Sequence, residues 1–114
     1  MFAELASLLF YSRDYAHRAH LVAGSHSRHV VLEEFYKELT ELIDTLVEVY
    51  QGRNGFVAIP VLAAEDDLRT PSPTLRSHLD IIERVGFDDR VIAAVIDDIC
   101  ATYLRTLYKL AMAG

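Results

Sequence analysis

The sequence has little of what would make a chain cross-linked or irregular. Its 114 residues include one cysteine (Cys100), three prolines, five glycines and no tryptophan. A single cysteine excludes an internal disulfide framework and favours a reducing compartment such as the cytoplasm. Scarce glycine and proline leave long uninterrupted stretches, which favour helices. We therefore expect one cytoplasmic domain that spans residues 1–114.

Basic residues and long apolar runs are also scarce. Lysine and arginine number 11 against 17 acidic residues, so the formal net charge is −6. Direct nucleic-acid binding and attachment to anionic membranes both need a basic surface, and the sequence disfavours both. No apolar run approaches the ~18 residues of a membrane helix. The first residues carry Glu4 and lack the basic start of a signal peptide.

Apolar residues recur at helical spacing in four segments. We predict helices over the ranges Phe2–Val22, His26–Tyr50, Ser72–Val85 (stopped by Gly86) and, with Asp88 as the cap, onward to Ala113. Residues 53–72 are long enough, at ~3.3 Å per residue, to return the chain along the ~38 Å of a 25-residue helix. The predicted fold is all-α, a ferritin-like four-helix bundle with a long crossover between helices 2 and 3.

Two pairs of potential metal ligands lie on the second predicted helix: His29 with Glu33, and Asp44 with Glu48. At ~100° per residue they fall within about 100° of one another, on a face away from the apolar stripe. Imidazole and carboxylate together suit iron, and also zinc or manganese. A solvated face with ordinary ion pairs through Lys37 is the alternative.

The two pairs are too far apart to hold one ion within one chain. Glu33 and Asp44 are separated by ~16 Å along the helix axis, at 1.5 Å per residue, whereas metal–ligand bonds are ~2.0–2.6 Å long. Either the pairs are unrelated, or an antiparallel copy of the helix brings the second pair of one subunit opposite the first pair of the other. A two-fold axis would create two equivalent sites per dimer.

Residues 16–52 resemble the Dps group of ferritin-like mini-ferritins. That group has His-Trp near the end of its first helix, then a glycine. Its next helix carries His-x-x-x-Asp/Glu, ten residues, and Asp-x-x-x-Glu. Here His20-Leu21 and Gly24 take the first positions, and the two ligand pairs reproduce the rest. His17 lies at the group's usual interval from His29, so either His17 or His20 could be the first-helix ligand. Local context favours His20.

The resemblance implies a ferroxidase-type centre between two-fold-related subunits, where Fe(II) is oxidised by oxygen or peroxide. Its ligands would be His20, His29 and Glu33 of one subunit with Asp44 and Glu48 of the other. The expected metal is iron, and the expected partner is a second copy, in a homodimer or larger homo-oligomer through helix 2. Two alternatives stay open: a metal-free helical interaction protein, and a structural zinc site among the four histidines between His17 and His29.

Overall fold

The computed structural model describes all 114 residues, and its only regular elements are four helices. They are α1 (Phe2–Leu21), α2 (His26–Asn54), α3 (Pro71–Glu83) and α4 (Arg90–Met112). The prediction of an all-α four-helix bundle is confirmed at this level. No helix combines the length with the apolar character that a membrane crossing would need.

The ends of α2 follow from capping chemistry. Ser25 caps its start, because the Ser25 hydroxyl accepts a hydrogen bond from the Arg28 backbone N–H at 3.3 Å. The helix continues past the predicted end at Tyr50, since one glycine costs a helix only ~1 kcal/mol and Gly52 stays helical. It ends at Gly55, whose φ of 85° is a conformation that glycine adopts without strain.

The starts of α3 and α4 differ from the prediction by two residues and one residue. α3 begins at Pro71 with Thr70 at the cap position, whereas the prediction has Ser72 at the cap position. The cap of α4 is Asp89 rather than Asp88, because the Asp89 carboxylate accepts hydrogen bonds from two backbone N–H groups of the first turn. Two adjacent aspartates offer the same chemistry, and the backbone geometry of the preceding turn selects the second.

Contacts between helices give their directions. Ion pairs join Glu34 to Lys109 and Arg53 to Asp89, so α2 and α4 run antiparallel. α1 packs against α2 and α3, and α4 packs against the same two helices. The four helices therefore form a square in which α1 and α4 are diagonal.

α1 and α3 are also antiparallel. Ser12 meets His78, and Tyr15, one turn later on α1, meets Thr74, one turn earlier on α3. Since the tight turn after α1 makes α2 antiparallel to α1, α2 and α3 run in the same direction.

The segment between α2 and α3, residues 55–70, lies along α1 without forming a helix or strand. We call it the strap. Three hydroxyl groups on successive turns of α1 donate hydrogen bonds to it: Ser7 to the Pro60 carbonyl (2.6 Å), Tyr11 to the Asp66 carboxylate and Tyr15 to the Asp67 carbonyl (2.7 Å). These bonds replace the backbone hydrogen bonds that regular structure would supply.

A buried polar network crosses the apolar core. The Tyr103 hydroxyl on α4 donates to Ser12 Oγ on α1 at 2.6 Å, and His78 Nδ1 on α3 lies 2.9 Å from the same oxygen. All three side chains are buried. Ser12 thus links three helices. Cys100 is half-buried at the edge of the core.

Candidate metal centre

Three potential ligands converge where α1 ends and α2 begins. His20 lies in the last turn of α1, and His29 and Glu33 lie one turn apart near the start of α2. Each places one candidate ligand atom so that the three atoms lie within 4.8 Å of one another. The tight turn at residues 22–25 brings these positions together, because it folds α2 back directly along α1.

The two histidines fix each other through the backbone. His20 Nδ1 lies 2.7 Å from the His29 carbonyl oxygen, and His29 Nδ1 lies 2.9 Å from the His20 carbonyl oxygen. A carbonyl oxygen can only accept, so each Nδ1 must carry the proton. In the neutral imidazole the lone pair is then on Nε2, which is the arrangement that second-shell bonding gives metal-ligating histidines.

The two imidazole rings are stacked, with centroids 3.7 Å apart and planes at 22°. Their reciprocal Nδ1 bonds hold both rings in place and leave the lone pair of each neutral ring on Nε2. His20 is 6% exposed and His29 is partly exposed. This preorganisation lowers the entropy cost of ordering two ligands around an ion.

Glu33 supplies the negative charge of the cluster. The Lys37 ammonium donates a hydrogen bond to a Glu33 carboxylate oxygen at 2.7 Å. That hydrogen bond, together with the charge of the ammonium, lowers the pKa of Glu33. The carboxyl group is therefore ionised at neutral pH and available as an acceptor or metal ligand, and any cation bound there would compete with Lys37.

The geometry fits a cation after a small adjustment. Three ligand atoms on one zinc or similar ion lie ~3.3–3.8 Å from one another, because each bond is ~2.0–2.2 Å long and the ligands spread around the ion. Atoms within 4.8 Å of one another therefore reach one ion after side-chain movements of up to about 1 Å. Three protein ligands leave further coordination positions open, as in sites that bind a water or a second protein's ligand.

The other predicted histidines lie outside this cluster. His17 is exposed, with its ring stacked on Tyr36 at 4.2 Å and its centroid 6.1 Å from that of His20. His26 is exposed as well, with its ring centroid 6.0 Å from that of His29. Of the two first-helix candidates, the structure brings His20 rather than His17 to the other ligands.

The second predicted pair, Asp44 and Glu48, is exposed on α2 and lies outside the three-residue cluster. Eleven residues separate Glu33 from Asp44, which places them ~16 Å apart along the helix. Within one chain, Asp44 and Glu48 therefore cannot bind an ion that the His20–His29–Glu33 cluster holds.

Two contacts around the site could not be read from the sequence. The Tyr36 ring is stacked on His17 and lies edge-on to His20, with centroids 5.5 Å apart, and its position three residues after Glu33 is only a weak signal in the sequence. The reciprocal bonds between Nδ1 atoms and backbone carbonyls depend on the turn geometry at residues 22–25. No side-chain motif in the sequence predicts these bonds.

The fold and the site together define a four-helix bundle protein with a histidine–carboxylate cluster between its first two helices. Residues 20–110 match a family described as a family of unknown function (DUF5856), and the chain belongs to that family. The matched range includes His20, His29 and Glu33. A search of curated proteins and a search of solved structures each returned no match.

Proposed function

We propose that this protein is a ferritin-like, Dps-like iron-binding protein of the cytoplasm. Two subunits would bind Fe(II) between them and oxidise it with oxygen or peroxide. Each site would take His20, His29 and Glu33 from one subunit and Asp44 and Glu48 from the other. Iron is the substrate of this activity, and zinc or manganese could occupy the same ligands.

One observation carries the proposal: the reciprocal bonding of His20 and His29. Each Nδ1 proton is committed to a carbonyl oxygen, which leaves both Nε2 lone pairs available in a cluster that includes the ionised Glu33 carboxylate. Histidines with merely structural roles have no need to keep both remaining lone pairs available in a cluster with a carboxylate. Metal-binding histidines do need this arrangement.

The helix directions also support the ferritin-like reading. α2 and α3 run in the same direction, and the strap that joins them lies along α1. A bundle with one long crossover has this connectivity, whereas an up-down-up-down bundle needs only short turns.

Exposure of Asp44 and Glu48 supports the need for a second subunit. An antiparallel copy of α2 would set these carboxylates of one subunit against the His20–His29–Glu33 cluster of the other, since a two-fold axis exchanges the two halves of the helix. The added carboxylates would complete an oxygen-rich ligand set suited to iron.

The test is metal content and Fe(II) oxidation of the purified protein and four variants. After loading with Fe(II) without oxygen, the wild type should hold about one ion or more per chain, since each dimer has two sites. On exposure to oxygen it should form Fe(III) faster than buffer. His29→Ala and Asp44→Ala should abolish both properties. Neighbouring controls, His26→Ala and Glu41→Ala, should keep them, because these side chains are exposed and outside the proposed ligand set.

The alternatives are distinguished by adding a fifth variant, His17→Ala, and by loading each protein with zinc and manganese as well as Fe(II). Zinc that survives Asp44→Ala but is lost in His17→Ala or His26→Ala would indicate the structural histidine site. If the protein binds neither iron, zinc nor manganese, and if adding these metals leaves its thermal stability unchanged, the result would indicate the metal-free interaction protein and exclude our proposal.

A further inference from the structure

The strap exposes an apolar surface that nothing else in the chain covers. Phe56 is 98% exposed and Val61 is 94% exposed, and both follow the end of α2. A large apolar side chain with this exposure contacts almost nothing in its own chain. A contiguous exposed apolar patch on a folded protein marks a surface that another molecule covers.

A groove opens beside these residues. Phe10 of α1 and the strap residues Ile59, Val61 and Leu62 form the apolar part of its lining, and its volume is about 420 Å³. Phe56 does not line it. The strap thus carries an unpartnered aromatic ring and, a few residues further on, an open apolar groove able to receive one.

We infer that two copies of this chain associate through their straps, with Phe56 of each copy in the groove of the other. A two-fold interface is self-complementary, so a protruding ring and a groove on the same surface satisfy each other twice. In an antiparallel crossing centred on Ile59, Phe56 of one copy lies beside Leu62 of the other, because each is three residues from the centre.

The charge pattern favours a second copy as the occupant. Residues 54–64 contain no charged side chain, between Arg53 and Glu65. Two chains that each carry a net charge of −6 can therefore meet along residues 54–64, the first part of the strap, without opposing like charges.

The strap interface and the candidate metal centre lie on neighbouring faces. A second groove, beside the metal centre, is lined by Lys37 and His17 and shares Arg13 and Asp14 with the strap groove. The two grooves are therefore adjacent on the surface, and the strap contact itself requires no metal.

The test is sedimentation of the metal-free protein in a chelator, with the wild type against Phe56→Ser and Val61→Ser. The wild type should sediment as a dimer or a multiple of it, relative to the 12.9 kDa chain. Each substitution should raise the dissociation constant at least ~10-fold, the effect of removing a central apolar anchor. Because both side chains are almost fully exposed, neither substitution removes packing within the chain. Tyr108→Ser, which removes an exposed aromatic ring from α4, should leave association unchanged.

A fluorescent version gives an independent readout. The chain has no tryptophan, so Phe56→Trp introduces a single reporter at the interface. Its emission should shift to the blue as protein concentration rises, and Val61→Ser in the same chain should suppress the shift. A wild type that stays monomeric, or a dimer unaffected by both serine substitutions, would overturn the inference.

These outcomes separate the inference from the proposed function. Association that depends on Phe56 in a protein without metal affinity would retain the interface and exclude the iron site. Stoichiometric metal binding with association indifferent to Phe56 would retain the iron site and exclude this interface.

Discussion

His78 shows at the scale of one residue how burial links stability to pH. Its ring is packed edge-on against Tyr11 and Tyr15, and its Nδ1 lies 2.9 Å from Ser12 Oγ. Burial lowers the pKa of His78 below its ordinary 6.5, and the nearby charge of Asp66 opposes this only in part. The folded protein therefore holds His78 neutral where the unfolded chain would take up a proton.

The sign of the pH effect follows from this difference. The stability that the protein gains by keeping His78 neutral is fully present above pH ~6.5. It decreases as the pH falls toward the lower folded-state pKa of His78, at no more than about 1.4 kcal/mol per pH unit for one proton. We expect the wild type to lose more unfolding free energy than His78→Asn between pH 7.5 and 5.5, measured by urea denaturation. His26→Asn, at an exposed site, should keep the wild-type slope. Equal slopes in all three proteins would contradict this account.

At the scale of elements, the cap of α4 is a direct test of the fold. The Asp89 carboxylate accepts hydrogen bonds from the first turn and pairs with Arg53 at 2.8 Å. Asp89→Ala should cost about 1–2 kcal/mol, because it removes the cap and an ion pair between α2 and α4. Asp88→Ala should lower the free energy of unfolding by only a few tenths of the Asp89→Ala effect. Urea denaturation distinguishes the two, and a larger loss for Asp88→Ala would favour the cap predicted from the sequence.

The strap is held by side chains rather than by regular structure, so single hydroxyl groups matter there. Tyr15→Phe removes the bond to the Asp67 carbonyl and should cost about 0.5–1.5 kcal/mol. The strap should also open more often, which limited chymotrypsin digestion would detect as faster cleavage after Phe56 or Leu62. Tyr108→Phe, on the exposed side of α4, is the matched control. Cleavage unchanged relative to that control would show that Tyr15 does not hold the strap.

The sequence was a good guide to these elements but a poor guide to their ends. Apolar periodicity located all four helices, because each buries one face against its neighbours. It misplaced the end of α2 because Gly52 and Gly55 look alike in sequence, although only Gly55 adopts a positive φ. The His78–Ser12–Tyr103 network was also beyond prediction, since it joins three helices that are distant along the chain.

The same limit applies to the candidate site. The i,i+4 spacing predicted the His29/Glu33 pair from the sequence alone, whereas His20 was added to it only by the resemblance to the Dps group. The tautomer of each histidine could not be predicted, because it depends on a backbone carbonyl nine residues away. Lys37 was expected as an ordinary ion-pair partner, and it does occupy Glu33 in that way.

At the scale of the whole molecule, the proposed site makes a prediction that no single chain can satisfy. If each site joins the His20–His29–Glu33 cluster of one subunit to Asp44 and Glu48 of the other, a His29→Ala chain retains an intact acidic half. An Asp44→Ala chain retains an intact cluster half. Neither variant alone forms a complete site, but a mixed dimer contains one complete site and one that is damaged on both sides.

Unfolding and refolding the two variants together should therefore restore metal binding. Random pairing makes about half of the dimers mixed, with one site per two chains, so the mixture should bind about a quarter of the wild-type iron per chain. Mixing His29→Ala with Glu33→Ala is the control, because both changes damage the same half and no pairing yields a complete site. Iron content after gel filtration measures the outcome. A mixture of His29→Ala and Asp44→Ala that binds no more iron than the control would mean that Asp44 does not complete the site of a second subunit.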